Sequence, residues 1–321
     1  MNLMHDRLQP TDRIHRGIDS VLAGAYLYYI ERLLPTTVEG REHLEPLRAH
    51  IKNGGSVIVF TNHTSLLDPG VITAVVEQVF EGLPHSKQLL TSTKFFPGFY
   101  GQLEQDEVLR KDPLVTDGIA IHRENELLIP GRIIAAVSRL RDIELVPMVQ
   151  HYLMGEGKFL RHNVKQNLGS FAHVIQAIKD GPTVIGISME GTRSKDGGLI
   201  PAQKGVNRLL RDPKVAQKTL LVPVALIGTD AVHHAGKGLG NVFAPVSVQL
   251  GEPVSYEQIR QDAEQFSLAP EDILMLRIAA MLPDEMLGYY RAEEFQTYLT
   301  HCREQMLSPT GVVFERARTS A

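Results

Sequence analysis

The sequence predicts an α/β protein: a mostly parallel central sheet flanked by helices, with an N-terminal helix and a C-terminal helical extension. Compact apolar runs at 56–60, 183–187 and 220–227 alternate with stretches of helical spacing. Strands that alternate with helices build a sheet covered on both faces, and such strands read as near-continuous hydrophobic runs. The turn signals agree, with Gly54-Gly55 before the first run and Asp180-Gly181-Pro182 before the second.

The elements follow in order. Residues 1–12 are polar. From 13 to 34 the apolar residues Ile14, Ile18, Val21, Leu22, Ala25, Tyr29 and Leu33 recur at helical spacing, and Pro35 stops that helix. Residues 69–80 read as a helix, with Asp68 as a candidate N-cap and Pro69 at the favoured first position. A strand is expected at 143–149, a helix at 171–179 and a helical stretch at 204–210. The alternating run 246–250 closes the series, the chain is helical from Tyr256 onward, and Ser308-Pro309-Thr310-Gly311 opens the tail. The expected organisation is an N-terminal helical segment over 1–44, a catalytic domain over 45–260, and a helical extension with its tail over 261–321.

Composition narrows the function. At 321 residues and 43% hydrophobic, the chain can bury a substantial core. A net charge of −4 argues against nucleic acid as a partner, which calls for a basic excess. A single cysteine, Cys302, excludes an intramolecular disulfide and fits a reducing compartment. No run approaches the ~20 apolar residues of a spanning helix, and no export signal is visible. The expected location is cytoplasmic, with peripheral contact at the inner face of a membrane left open; Tyr26, Tyr28 and Tyr29 could touch headgroups, though few cations accompany them.

The strongest chemical signal is Thr61-Asn62-His63-Thr64-Ser65-Leu66-Leu67-Asp68-Pro69, where a buried strand ends and a helix begins. Ligand chemistry in open α/β sheets gathers at such edges. His63 and Asp68 are five positions apart, so on one regular helix they would diverge by about 140°. They can meet only across a loop. A carboxylate on one imidazole nitrogen fixes the tautomer and frees the other nitrogen to accept a proton. On these residues alone, a helix cap beside an ordinary loop histidine is an equal reading.

Three further segments add to it. Gly118-Ile119-Ala120-Ile121-His122-Arg123 ends a short apolar stretch with a cation. Ser188-Met189-Glu190-Gly191-Thr192-Arg193-Ser194 follows the strand at 183–187. Leu221-Val222-Pro223-Val224 is a strand interrupted by proline. With the first segment, these resemble the four ordered motifs of the glycerol-phosphate acyltransferase family, which includes lysophosphatidate acyltransferases. The flanking runs Val38-Glu39-Gly40-Arg41 and Leu250-Gly251-Glu252-Pro253 resemble the family's too, so the likeness covers roughly 36–255.

The resemblance implies that His63 is a general base and Asp68 its orienting partner. It implies that Arg123 and the run Glu190, Gly191, Thr192, Arg193 bind a phosphate-bearing glycerolipid acceptor, and that Pro223 shapes the strand beside the active centre. The co-substrate would be acyl-CoA or an acylated carrier protein, with no cofactor and no metal. The acceptor would be glycerol 3-phosphate or its 1-acyl derivative, the latter favoured slightly by the segment before the first motif. The alternatives are another polar lipid or glycolipid acceptor, or a silent lipid-binding protein on the same scaffold. One departure is the long stretch between Arg123 and Glu190, which includes residues 151–162.

Other signals read as structural. His233-His234 is expected to be a surface pair, and Gly236-Lys237-Gly238-Leu239-Gly240 lacks dinucleotide-site spacing. The run Lys204, Arg208, Arg211, Lys214, Lys218 reads as a solvated helix face, or as a landing place for the acidic part of an acyl donor.

Overall fold

The computed structural model describes residues 29–65, 67–83, 86–92, 118–121, 156–191, 193–234 and 238–307. The helix expected over 13–34 lies mostly outside these residues, as do the strand expected at 143–149, Arg123 and Thr192. What is described of that helix, Tyr29–Leu33, is π-helical, and beyond Pro35 the backbone is extended.

The described strands of the main sheet are β1 (Thr36–Glu39), β2 (Ser56–Thr61), β3 (Ser86–Ser92), β4 (Gly118–Ile121), β5 (Thr183–Ser188), β6 (Thr219–Ile227), β9 (Val246–Leu250) and β10 (Val254–Ser255). A separate short pair consists of β7 (His233–His234) and β8 (Gly238–Leu239). The main sheet runs β1-β9-β6-β2-β5-β3-β4, with β10 also on β6. Strands β6, β2, β5, β3 and β4 are mutually parallel, whereas β9 and β10 meet β6 antiparallel. The sheet is therefore mixed but mostly parallel. Strand β1 pairs with β9, so residues before position 45 contribute to this same sheet.

The alternation of side chains along the central strands divides the core in two. Val57 and Val59 face one side with Val184, Val222, Val224 and Leu226, under α1 (Leu44–Lys52) and α2 (Asp68–Val79). Ile58 and Phe60 face the other with Ile185, Ile187, Leu221 and Ala225. That second face is covered by α3 (Glu156–Asp180), α4 (Gly205–Leu210), α5 (Pro213–Lys218), α7 (Tyr256–Phe266), α8 (Pro270–Ala279) and α9 (Glu293–Leu307). A short α6 (Thr229–Val232) follows β6. The C-terminal helices thus share one core with the sheet. Cys302 is buried in it, and burial pushes its thiol pKa up.

Helix α3 is longer than the sequence suggested. It begins at Glu156, so 156–162 of the departing stretch are its opening turns, while Phe171, Val174 and Ile178 turn inward. Strand β3 was not anticipated, because Ser86-Lys87-Gln88 breaks any apolar run.

Pro223 occupies an interior strand, not an edge. Its missing N–H costs no ladder bond because β9 pairs with β6 from Val224 onward and β10 only as far as Leu221. The chain crosses that gap at Gly251, whose N–H donates to the Pro223 carbonyl at 2.8 Å. A Cβ on Gly251 would sit 2.7 Å from Pro223 Cγ, so close approach requires glycine there.

Candidate active site at the carboxyl end of the central strand

The loop after β2 leaves the sheet between β5 and β6, the two strands that flank it. Its first residue, Asn62, extends the β2–β6 ladder with its side chain. Nδ2 donates to the Leu226 carbonyl at 2.9 Å and Oδ1 accepts the Leu226 N–H at 2.8 Å. Thr64 Oγ1 lies 3.1 Å from Thr229 Oγ1, and Ser65 Oγ donates to the His233 carbonyl at 2.9 Å. Most buried polar groups of the loop are satisfied in this way, as burial demands, and Asp68 Oδ1 is an exception, buried without a hydrogen-bond partner among the described residues.

Within this loop His63 and Asp68 meet. His63 Nδ1 lies 2.9 Å from Asp68 Oδ2. The Asp68 side chain is 1% exposed and that of His63 13%. Asp68 does not cap helix α2, correcting the first expectation for it. It is the helix's first residue, and its Oδ2 turns back to accept the amides of Thr64 and Ser65, both at 2.7 Å. The other imidazole nitrogen, Nε2, makes no hydrogen bond to a described residue. A neutral imidazole held this way carries its proton on Nδ1 and offers Nε2 as an acceptor.

The segment after β5 holds the same loop from the other side. Met189 N–H donates to the Thr61 carbonyl at 3.2 Å, and Ser194 N–H to the His63 carbonyl at 2.9 Å. Glu190 is fully buried, and both its oxygens bond to backbone amides and not to Arg193. Its Oε2 accepts the His63 N–H, and its Oε1 accepts the Ile200 N–H at 2.8 Å. Burial raises its carboxyl pKa to about 8; the charge of Asp68 pushes the same way, while the amides of Ile200 and His63 pull it down.

The expected site residues are therefore partly assembled. His63, Asp68 and Glu190 form one hydrogen-bonded cluster. Gly191 is a turn residue with φ +63°, its N–H bonded to the Ser188 carbonyl at 3.1 Å. Arg193 is half-buried and makes no ion pair or hydrogen bond with another described residue, which leaves its guanidinium available. Pro223 pairs in register with Phe60, inside the sheet next to the strand that carries the cluster. Arg123 and Thr192 lie outside the described residues. Strand β4 ends at Ile121, two residues before Arg123, at the far edge of the described sheet.

The amides of His63, Thr64, Ser65 and Leu67 bond to Glu190, Asp68, Asp68 and Ser65 Oγ, so none of the four is open to stabilise an oxyanion. The pair His233-His234 is half-buried and not a surface feature, since the His233 carbonyl anchors Ser65. Sequence reasoning also missed Asn62, Ser194 and Thr229. Only the placement of Asn62 at the strand end offered a signal.

No group of three or more His, Cys, Asp or Glu side chains positioned to hold a metal ion occurs among the described residues, and no helix among them is long and apolar enough to cross a membrane. Fold and site together define an α/β protein with a buried carboxylate–imidazole pair at the carboxyl edge of its central strand. No family model matches the chain, and no curated protein matches it.

Proposed function

We propose that the protein is an O-acyltransferase that moves an acyl group from a thioester, acyl-CoA or an acylated carrier protein, to the hydroxyl of glycerol 3-phosphate or 1-acylglycerol 3-phosphate. The observation that carries the reading is the His63–Asp68 pair, with Nδ1 engaged at 2.9 Å and Nε2 open. A binding protein has no need of a buried carboxylate spent on orienting an imidazole. The resemblance of four ordered segments to the glycerol-phosphate acyltransferases supplies the reaction class.

The chemistry is direct transfer. The acceptor hydroxyl gives its proton to His63 Nε2 as its oxygen attacks the thioester carbonyl carbon. Asp68 stabilises the imidazolium that forms, as a carboxylate on Nδ1 does. The tetrahedral intermediate collapses with cleavage of the C–S bond, and the departing thiolate takes the proton back from Nε2. An ester and a free thiol result, and no side-chain nucleophile is needed. Arg193, half-buried and without a described partner, and Arg123 are assigned to the acceptor's phosphate, for which a guanidinium offers planar paired donors.

The experiment is thiol release measured against a panel of acceptors, with one long-chain acyl-CoA and one acylated carrier protein as donors. Thiol should appear only when thioester and acceptor are both present. Release with water alone would mark a thioesterase. Tight lipid binding without release from any pair would mark a silent scaffold.

A further inference from the structure

Glu190 resembles an acceptor-binding residue, yet its carboxylate is aimed at the protein's own backbone. It is completely buried. One oxygen accepts the His63 amide and the other the Ile200 amide. The neighbouring Ser194 amide holds the His63 carbonyl at 2.9 Å. Both polar groups of the His63 main chain are thus gripped by the segment after β5. From there the imidazole has only its side-chain torsions left, and Asp68 fixes those.

We propose that Glu190 is a positioning residue, a buried carboxylate that sets the backbone of His63 and through it the placement of the imidazole, and is not a ligand of the acceptor. The inference rests on the reading of His63 as the base. Four physical points carry it. A carboxylate with no exposed surface has no face to offer an acceptor. Turned toward a phosphate it would repel, whereas two converging amide donors match its two oxygens. Glutamine matches worse, because it presents one acceptor and sets an NH2 group against the second amide. Aspartate is one methylene too short to span the same two donors from position 190.

The arrangement also makes His63 sensitive to the ionisation of Glu190. Protonating the carboxyl puts a hydrogen on one oxygen and makes that oxygen a poorer acceptor, so the bond to the amide of either His63 or Ile200 weakens. Among the described residues, the charged group that bears on Glu190 from the facing loop is the Asp68 carboxylate, and the amide of His63 donates to it. Burial, with the charge of Asp68 adding to it, pushes the pKa of Glu190 up to about 8.

The test uses the full-length protein and its Glu190→Gln and Glu190→Asp variants. Steady-state kinetics at pH 9, above the pKa of Glu190, should show kcat falling at least tenfold in Glu190→Gln, with the acceptor KM within twofold of the parent. Glu190→Asp should not restore the rate. A rise in acceptor KM at unchanged kcat would overturn the proposal and return Glu190 to the acceptor site. A second readout is independent of turnover: NMR titration of the His63 ring nitrogens in histidine-labelled protein. The parent should show a second inflection as Glu190 ionises, and Glu190→Gln should lose it. If the parent turns over no acceptor, the acyltransferase reading falls while this titration still decides the positioning role. Backbone amide signals of His63 and Ile200 that stay unshifted in folded Glu190→Gln and Glu190→Asp proteins would overturn the proposal.

Discussion

Asp68 Oδ2 accepts three hydrogen bonds at once, from His63 Nδ1 at 2.9 Å and from the amides of Thr64 and Ser65 at 2.7 Å each. One oxygen therefore both orients the imidazole and closes the loop that carries it. Asp68→Asn keeps a carbonyl oxygen for the two amides but removes the charge that stabilises an imidazolium. His63→Ala removes the base and leaves the loop's backbone bonds in place. Each should lower kcat by roughly 10²–10⁴-fold, and the double variant should be little worse than either, as for groups acting as a unit. Initial rates beside circular dichroism check this. Near-normal turnover in a folded His63→Ala protein would sink the mechanism.

Arg193 directly precedes Ser194, whose amide holds the His63 carbonyl, and carries a guanidinium with no described partner. Losing a charge-assisted contact to phosphate costs about 1.5–3 kcal/mol, or roughly ten- to a hundredfold in affinity. Arg193→Ala should raise the acceptor KM by that factor and leave the donor KM nearly unchanged. A phosphate-free acceptor such as a monoacylglycerol should be indifferent to the change. A raised donor KM with an unaffected acceptor would mean that Arg193 reads the donor's phosphates instead.

The central sheet was legible because buried parallel strands are written as uninterrupted apolar runs, and β2, β5 and β6 have them. Strand β3 was not, since Ser86-Lys87-Gln88 carries no such run and is placed by pairing with β5. The His63–Asp68 pair was legible as a spacing, but its geometry was not: the amides of Thr64 and Ser65 that turn Asp68 away from the cap position have no side-chain signature. Glu190 was legible as a site residue, but its partners were not. Its partners are backbone amides, one of them from Ile200 ten positions on, and every residue type but proline offers such a donor.

The raised pKa of Glu190 makes stability depend on pH. An unfolded glutamate titrates near 4.3, and burial holds the folded group at about 8. Between those values the native chain binds a proton that the unfolded chain has released. Stability contributed by this group is therefore present at low pH and falls as pH rises through the window. Glu190→Gln, which cannot ionise, should flatten that slope in denaturant titrations run from pH 5 to pH 8. An identical slope in parent and variant would show that Glu190 is already ionised throughout.

Asp262 joins the three C-terminal helices. It accepts Tyr298 Oη at 2.6 Å, Arg277 Nη2 at 2.8 Å and Gln258 Nε2 at 2.7 Å. Burial alone would raise its carboxyl, but these bonds overcome it and hold the pKa below the usual range. Tyr298→Phe deletes one bond to a charged acceptor and keeps the ring packed edge-on against Phe266 at 4.8 Å. The expected loss is about 1.5–3 kcal/mol of stability, read as a lower denaturant midpoint. The depressed pKa means that this contribution is kept above the unfolded carboxylate's pKa and lost as pH falls through the folded one. The parent and Tyr298→Phe should therefore converge in acid; a gap that persists there would assign the loss to packing instead.

Gly288 brings the C-terminal region against the loop that leads to the site. Its φ is +49°, and a Cβ there would lie 2.3 Å from the Leu199 carbonyl oxygen and 2.5 Å from the Leu199 nitrogen. Around it, Leu199 N–H donates to the Met286 carbonyl at 2.9 Å and Tyr289 N–H to the Leu199 carbonyl at 2.8 Å. Tyr290 Oη accepts the Ala202 N–H at 3.0 Å while donating to Asp272 at 2.9 Å. Ile200, whose amide bonds Glu190, lies inside this stretch. Gly288→Ala combines a left-handed backbone with a clash against main chain, so it should destabilise by about 2–4 kcal/mol. It should also displace Leu199 and with it the Ile200 amide. Tyr298→Phe weakens the same helices without touching that loop. Both variants should unfold at lower denaturant, but at a concentration where both stay folded only Gly288→Ala should lose kcat. Equal losses of kcat would mean that the C-terminal helices support the site through global stability alone.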